Sequence, residues 1–336
     1  MVGMDPHTER PLTAAVFTGH RPTAAGDLSV ETHGIAPIPE TERYGRPGRM
    51  FTVWFAPQIT MTGVFTGTLA ITLGLGFWLG LLAMTIGTVI GSLAVAYLCT
   101  WGPRTGTAQL PNARMAFGPT VVLPAALQWV SSVAWDGLVG LFGGEALARL
   151  LNIPFPAAVL IVLVLQGAVG FFGYELIHRV QAVLTVVLLA TFVVFAVKLV
   201  GGHEVITAPA AHGADLAGAF VLEVTIALSL AISWASYAAD FSRYLPAQSS
   251  SLRVFAFSFA GIVSAYVFVQ GIGIAGADLL SDQTADGVHT VMGGGVLGAV
   301  ALLAIALASA GSSAMNDYSG SLALQTLGVR VRRPVS

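Results

Sequence analysis

Residues 77–100 read FWLGLLAMTIGTVIGSLAVAYLCT, a stretch without a single charged side chain. A helix that crosses the hydrocarbon core of a bilayer needs roughly 20 mostly apolar residues. This stretch therefore predicts a membrane span. Similar apolar stretches lie on both sides of it, separated by short joints that carry proline, glycine and charge. The predicted spans are residues 50–75, 77–100, 119–144, 155–174, 180–200, 216–238, 253–278 and 294–322.

The composition agrees with a polytopic membrane protein. Of 336 residues, 55% are hydrophobic and only 10% are charged, whereas an average soluble domain carries about 25% charged residues. The net charge of −2 provides no field that would attract nucleic acid. A single cysteine, Cys99, excludes an internal disulfide framework. The apolar segments are too long, and alternate too little, to be strands of a barrel, so we expect an all-α bundle.

The basic residues fall almost entirely on one side of the predicted spans. Eleven of those near spans lie on the side of the N-terminus and two on the other side. Cytoplasmic loops carry an excess of lysine and arginine, so the N-terminus is predicted to be cytoplasmic and the plasma membrane is the expected location. The larger group is Arg43, Arg46, Arg49, Arg104, Arg114, Arg179, Arg243, Arg253, Arg330, Arg332 and Arg333; the smaller is Arg149 and Lys198.

Three regions follow from this pattern. Residues 1–48 are polar and are expected to form a mostly irregular cytoplasmic tail. Residues 49–324 are expected to form the transmembrane domain. Residues 325–336 form a basic tail, also on the cytoplasmic side.

Histidines give no sign of enzymatic chemistry. All seven are predicted to lie in tails or joints, so no span carries a pair of histidine ligands or a serine–histidine dyad. We therefore expect a protein that is not an enzyme and that holds no metal or cofactor. The residues are His7, His20, His33, His178, His203, His212 and His289.

The first span carries an unusual polar run, WFAPQITMTG at residues 54–63. Pro57 removes an amide donor from the helix, and Gln58 with two threonines follows it closely. A broken span that presents free carbonyls is what transporters use to hold a small polar solute or an ion. The alternative is a kinked helix that serves packing alone.

Three later spans also place polar groups at membrane depth. Asp136 is costly there unless it is paired or faces water, and the neighbouring Trp135 offers a flat surface for a planar ring; alternatively, the pair lies near the outer boundary. In the sixth span Trp234 lies deep, whereas Glu223 is either buried or at the outer rim. The eighth span is polar over residues 309–321, and should face the protein interior.

Within that eighth span, Asn316 carries both a donor and an acceptor and can pair with an amide–imide edge of a solute. Interhelical hydrogen bonding without any ligand is the alternative role for this polar run.

In several segments the sequence resembles the nucleobase:cation symporter family, which includes purine–cytosine permeases and allantoin and hydantoin transporters. The resemblance rests on ETHGIAPIP at 31–39 with Glu42 and Arg43, WFAPQ at 54–58, ARMAFG at 113–118, the segment 234–244, and NDYS at 316–319.

The resemblance implies a five-plus-five inverted-repeat fold of the LeuT type. The first repeat would span about 49–200 and a partial second repeat about 216–324. Spans one and six would be discontinuous and would enclose the site together with spans three and eight. Because eight spans are predicted where such a core has ten, the chain is expected to be a C-terminally truncated member.

The same resemblance assigns roles to four residues. Trp135 would stack on one face of the solute ring, and Trp234 would supply the second aromatic surface. Asn316 would bond the edge of the ring, and Gln58 would be a polar group near it.

Two departures bear on specificity and coupling. Val139 stands where members often carry glutamine or asparagine. Ala310 and Gly311 stand where sodium-dependent members carry hydroxyls, which favours a proton over sodium as the coupling ion. The candidate ion-coupling residues are Asp136, Glu223, Ser312 and Ser313.

Together these observations predict a secondary active transporter that imports cytosine, a purine or a related planar heterocycle by alternating access. The alternatives are a hydroxymethylpyrimidine- or thiamine-type permease, an allantoin or hydantoin permease, and a non-transporting membrane fragment. The expected partners are the small solute and the lipid bilayer, with no nucleic acid and no obligate protein partner.

Overall fold

The computed structural model describes residues 30–31, 33–280 and 284–330. Within these ranges the regular structure is entirely helical. In chain order the α-helices are α1 (Arg49–Phe55), α2 (Met61–Thr72), α3 (Phe77–Cys99), α4 (Trp101–Thr105), α5 (Gln109–Phe117), α6 (Val122–Leu151), α7 (Phe155–Phe172), α8 (Tyr174–Gly202), α9 (Gly213–Ile232), α10 (Ser251–Ala275), α11 (Ala277–Leu280), α12 (Thr284–Val291) and α13 (Gly295–Thr326).

Seven helical stretches in the described ranges are long and apolar enough to cross a membrane. They begin at Phe77, Gln109, Phe155, Tyr174, Gly213, Ser251 and Gly295. The predicted first span is present too, but it is divided between α1 and α2, and neither half could cross alone. The predicted multi-pass helical fold is therefore confirmed.

The first span breaks where the sequence predicted. After α1 the chain makes a 3-10 turn over Ala56–Gln58, and Thr60 adopts an extended conformation. The Thr60 amide donates to the Gln58 carbonyl at 2.9 Å, two residues back rather than four. The Thr60 hydroxyl then caps α2 by accepting from the Gly63 amide. Pro57 and this cap together fix the break.

The sixth span is irregular in its second half. Helix α9 ends at Ile232, a 3-10 turn covers Ser233–Tyr237, and further turns lead to Leu245. The Arg243 amide donates to the Ala239 carbonyl at 3.0 Å within these turns. Two discontinuous spans, one and six, are therefore present, as the resemblance implied.

Small residues let the helices pack closely. A side chain at Gly67 would overlap the Gln270 carbonyl, and one at Gly273 would overlap the Val64 carbonyl, so the backbones of α2 and α10 are in direct contact. Glycines allow this close approach in membrane proteins. Helix α13 lies along α6 and α7, and its polar run is buried as expected, including Ser309, Ser312 and Asn316.

Residues 30–31 and 33–48, here called the N-terminal strap, cross one end of the bundle. The Ile38 amide donates to the Gly106 carbonyl at 2.9 Å, and the Tyr44 amide donates to the Tyr244 carbonyl at 2.6 Å. Near the start of the strap, the Ile35 amide donates to Gln325 Oε1 on α13 at 3.1 Å. The strap thus joins segments that are far apart in the chain.

Arg243, in the irregular part of span six, binds the strap through its side chain. Its side chain is fully buried and forms an ion pair with Glu31 at 2.9 Å. It also donates to the Gly34 carbonyl at 2.6 Å and to the Tyr318 hydroxyl at 2.8 Å. The buried pair with Glu31 therefore anchors the strap to the irregular part of span six.

The structure corrects one expectation about local structure. His178 does not lie in a joint: it is buried within α8, with Nε2 3.2 Å from the Phe241 carbonyl oxygen. Spans four and five are joined at Gly173 alone, so α8 begins at Tyr174 and takes in this histidine. The joint between spans seven and eight contains the short helices α11 and α12.

Several boundaries differ by a few residues. The third span starts with α5, bends at Gly118, where φ is +54°, and continues to Leu151 rather than 144. Helix α13 passes the predicted boundary at 324 and ends at Thr326. Much of both predicted tails, residues 1–29 and 331–336, lies outside the described residues.

Candidate functional site

A cavity of about 400 Å³ lies between the irregular parts of spans one and six. Helices α6, α10 and α13 complete its wall. The lining residues are Pro57, Gln58, Thr60, Thr62, Gly63, Trp135, Val139, Leu230, Ser233, Trp234, Tyr237, Tyr266, Ser312 and Asn316. The two breaks in the helices therefore open onto one space in the protein interior.

Trp234 forms a fixed aromatic wall of this cavity. Its indole Nε1 donates to the Tyr266 hydroxyl at 2.9 Å. The ring meets Trp54 edge-on at a centroid distance of 5.8 Å and lies 5.4 Å from the Tyr237 ring. With 8% of its surface exposed, the indole is held by contacts on several sides.

Trp135 brings a second indole to the cavity, from α6. One turn later on the same helix, Val139 adds an apolar surface. An aromatic pair with a short apolar wall suits a flat ring better than a flexible chain, because indole faces bury planar apolar surface over a large area.

Asn316 is a directed polar group in the wall. Its Nδ2 donates to Asp136 Oδ1 at 3.0 Å, which connects α13 to α6. Within the described residues no hydrogen bond occupies Asn316 Oδ1. The amide is buried and lines the cavity, so it can present this oxygen to an N–H group of a bound molecule.

Two buried polar groups from the first span have no protein partner in the described ranges. These are Gln58 Nε2 and Thr62 Oγ1, and both residues line the cavity. A buried donor without a partner costs about 1–3 kcal/mol. Because both residues line the cavity, the site suits a molecule with hydrogen-bonding edges.

A further polar layer positions Tyr237. The Tyr237 hydroxyl lies 3.1 Å from Ser132 Oγ, which accepts from Gln128 Nε2 at 3.2 Å. Gln128 Oε1 accepts in turn from the Ser236 hydroxyl. This network joins α6 to the irregular part of span six.

Five of the eight predicted site residues line this one cavity: Gln58, Trp135, Trp234, Ser312 and Asn316. The other three do not line it. Asp136 lies behind Asn316 and bonds to it, and Ser313 is fully buried beside Asp136.

Glu223 lies apart from the cavity. It is fully buried on the face of α9 that carries Ala219 and Ala227 and packs against α3. Neither of its carboxyl oxygens has a hydrogen-bond partner in the described ranges. Of the two placements left open by the sequence, burial is the one observed.

Sequence reasoning missed Tyr266, which lines the cavity and bonds Trp234. The available signal was a tyrosine in the middle of an otherwise apolar span, at AYVF in residues 265–268. A phenol at membrane depth needs a partner, but the sequence does not show which one.

Comparison with known proteins agrees with this architecture. Residues 37–331 match the family described as permeases for cytosine/purines, uracil, thiamine and allantoin. The putative purine-cytosine permease YxlA of Bacillus subtilis is 27% identical over 265 residues, covering 77% of this chain and 57% of that protein. The purine-cytosine permease fcyB of Emericella nidulans is 25% identical over 323 residues, covering 90% and 63%.

The chain thus spans about three fifths of the length of these two relatives. Both are permeases rather than enzymes, as the sequence predicted.

Among solved structures, the fold is similar to that of Mhp1, a nucleobase-cation-symport-1 family transporter. The TM-score is 0.76 to its closed conformation with bromovinylhydantoin bound, at 21% identity, covering 90% of this chain and 71% of that one. For the inward-facing conformation of Mhp1 the TM-score is 0.71. This likeness confirms the expected LeuT-type fold.

The family match extends over most of the chain, and the two discontinuous spans enclose a cavity at the positions that the family resemblance implied. The chain therefore belongs to the nucleobase:cation symporter family of permeases for cytosine, purines, uracil, thiamine and allantoin.

Proposed function

We propose that this protein is a secondary active transporter that imports a nucleobase or a related planar heterocycle by alternating access. One observation carries the proposal: a single interior cavity joins two indoles, Trp135 and Trp234, with two amides, Gln58 and Asn316. Indoles stack on a flat ring, and amides pair with its donor and acceptor edge.

The polar lining of the cavity fits this class of solute. Unpartnered polar groups at Gln58 and Thr62 would gain hydrogen bonds from a polar ring. Two relatives are named as purine-cytosine permeases, and Mhp1 holds a hydantoin, so cytosine or a purine is the first candidate and hydantoin-like rings are the second.

We also propose that a proton drives the transport. Ala310 and Gly311 supply no hydroxyl where sodium-dependent members carry one. The Gly311 carbonyl is moreover already bonded, since Gln181 Nε2 donates to it at 2.8 Å. Both features favour a proton over sodium.

Uptake tests these assignments directly. Cells without their own transporters would be given labelled cytosine, adenine, uracil, allantoin, hydantoin or hydroxymethylpyrimidine. We expect concentrative uptake of at least one ring, which an uncoupler abolishes and removal of sodium does not.

In the same assay Trp135→Ala should reduce uptake about fivefold or more, since base–aromatic stacking contributes about 1–3 kcal/mol. Asn316→Ala should reduce it about fivefold, since a net hydrogen bond is worth about 1 kcal/mol. Trp78→Ala is the matched control, because Trp78 is 67% exposed on α3. Unchanged uptake in both cavity variants would show that the site is misassigned. A membrane protein that never takes up a ring would support the non-transporting alternative.

Orientation and location belong to the same proposal, with the N-terminus in the cytoplasm and the protein in the plasma membrane. Cys99 is buried and does not interfere with thiol labelling. An impermeant thiol reagent applied to intact cells should label His212→Cys, in the joint between α8 and α9, and should leave Arg46→Cys in the strap unlabelled. The reverse pattern would invert the topology.

A further inference from the structure

Two carboxyl groups lie next in sequence to residues that line the cavity. Asp136 lies on α6, one residue after Trp135, and Asp317 lies on α13, one residue after Asn316. Asn316 Nδ2 donates to Asp136 Oδ1 at 3.0 Å, Asp317 follows Asn316 on α13, and the two carboxyls lie close enough to interact electrostatically. Each acid therefore adjoins a residue that lines the cavity, and the pair joins the two helices.

The surroundings of the pair contain amides but no cation. Asp136 accepts from Asn316 Nδ2 at 3.0 Å. Gln166 Nε2 on α7 lies 3.4 Å from Asp317 Oδ2, and Gly170 on the same helix leaves room for the Asp317 side chain. Neither acid forms an ion pair in the described part of the chain.

The titratable groups around Asp136 are few. Asp317 approaches it from α13, and Tyr237 in the irregular part of span six lies close enough to interact electrostatically with the Asp136 carboxylate. From α7 the neighbouring polar group is the neutral Gln166. Two adjacent carboxylates cannot both ionise easily, least of all at membrane depth, so a single shared proton is the simplest way to satisfy the pair.

We propose that the Asp136–Asp317 pair binds the coupling proton and that Asn316 transmits its presence to the solute. This inference rests on the proposed function, because it specifies where the proton of that transport cycle sits. It also narrows the predicted ion-coupling residues, since it assigns the proton to Asp136 with Asp317 and not to Glu223.

The geometry gives the transmission a physical route. With the proton shared, an O–H···O bond holds the Asp136 carboxylate in place, where it accepts from Asn316 Nδ2. The amide is then fixed with Oδ1 free for a ring N–H. Without the proton, the two negative charges repel, Asp136 moves away, and Asn316 loses its orientation. The proton comes from water on the side where the solute binds and returns to water on the side where it is released, so no other reactant is needed.

Thermodynamic linkage between proton binding and solute binding allows the inference to be measured. If the proton favours solute binding, solute binding favours proton uptake to the same extent. The affinity of the wild-type protein for the ring should then weaken as pH rises, by up to about tenfold per pH unit for one linked proton.

The test uses the full chain purified in lipid nanodiscs. Binding of tritiated adenine and tritiated cytosine, assayed separately, would be measured from about pH 5 to about pH 8, while an indicator dye in weak buffer reports proton uptake. The wild type should take up as much as one proton per bound ring.

Asp317→Asn should bind the ring with nearly the low-pH affinity of the wild type at every pH. The new amide donates permanently to Asp136 and replaces the shared proton. Proton uptake on binding should vanish. Asp136→Asn is the second variant, since its amide oxygen can still accept from Asn316, and it should also bind independently of pH. Glu145→Gln is the matched control. Glu145 is a partly buried acid on α6, about two and a half turns from Asp136, and its substitution should leave the pH dependence of ring binding as in the wild type.

Each outcome decides between the possibilities. Loss of proton uptake in both aspartate variants, with ring binding retained, supports the inference. Ring binding by the wild type without pH dependence overturns the inference and leaves the proposed function standing. Loss of proton uptake in Glu223→Gln, with wild-type behaviour in both aspartate variants, also overturns it. Absence of binding of either ring to the wild type overturns the assignment of cytosine or a purine as the solute, on which this inference rests.

Discussion

At the scale of single residues, the site depends on side chains held before a solute arrives. Trp234 makes its one hydrogen bond to Tyr266 and packs edge-on against Trp54. Its ring therefore has little freedom in the empty cavity. Binding then costs less side-chain entropy than it would for a mobile ring.

Tyr266→Phe tests this fixed orientation. Removing the hydroxyl leaves the buried Trp234 Nε1 without its partner, and a net hydrogen bond is worth about 1 kcal/mol. We expect ring binding to weaken about fivefold, measured with labelled nucleobase on the purified protein. Tyr97→Phe on α3 is the control, because Tyr97 is 55% exposed. Equal affinities in the two variants would show that Tyr266 does not hold the indole.

At the scale of elements, the N-terminal strap crosses one end of the bundle, and we expect it to limit access to the cavity from that end. It is tied to Gly106, Tyr244 and Gln325 through its backbone. Of its side-chain contacts, the Arg243–Glu31 ion pair is the most deeply buried. Breaking a buried pair by removing one partner is costly, about 3–5 kcal/mol, so loss of this contact should make that end of the bundle open more readily.

Arg243→Ala should release the strap. A cysteine placed in the cavity wall by Ser312→Cys would report this, since Cys99 is buried. In inside-out vesicles, an impermeant thiol reagent should label that cysteine about tenfold faster or more when Arg243 is removed, in keeping with the cost of a broken buried pair.

The control for strap release is Arg46→Ala, which removes an exposed arginine from the strap itself. Glu31→Gln is a milder variant that keeps the shape of the pair, and it should raise the labelling rate in the same direction. Labelling rates that do not differ between the Arg243 and Arg46 variants would contradict closure by the strap.

The contact between α2 and α10 is the second feature at this scale. A methyl group at Gly273 would overlap the Val64 carbonyl, whereas one at Gly271 would meet only Leu81 at 3.7 Å. Overpacking costs about 1–3 kcal/mol. Gly273→Ala should therefore lower the unfolding temperature in detergent clearly, and Gly271→Ala should not. Similar temperatures in both variants would argue against close contact of the two backbones.

At the scale of the whole molecule, the sequence predicted what local chemistry controls. Apolar length predicted the spans. Pro57 and the polar residues after it predicted the break in the first span, because a missing amide donor interrupts a helix wherever the chain folds. The polar run in α13 predicted burial, because serine and asparagine side chains are costly against lipid.

The sequence did not predict contacts between distant residues. Asn316 and Asp136 are 180 residues apart, and Arg243 and Glu31 are 212 apart. Nothing in either local segment specifies its partner. His178 was misplaced for a related reason: a joint reduced to Gly173 leaves no irregular loop to hold it, so α8 includes it.

The most direct test of the central claim is equilibrium binding of nucleobases to the purified chain, since binding requires the cavity and not a complete transport cycle. We predict saturable binding of adenine or cytosine at one site. Trp135→Ala should weaken it by about 1–3 kcal/mol, the usual contribution of one stacked base, and Trp78→Ala should bind as the wild type does. No saturable binding, or the same affinity in the Trp135 and Trp78 variants, would contradict a heterocycle site between these indoles.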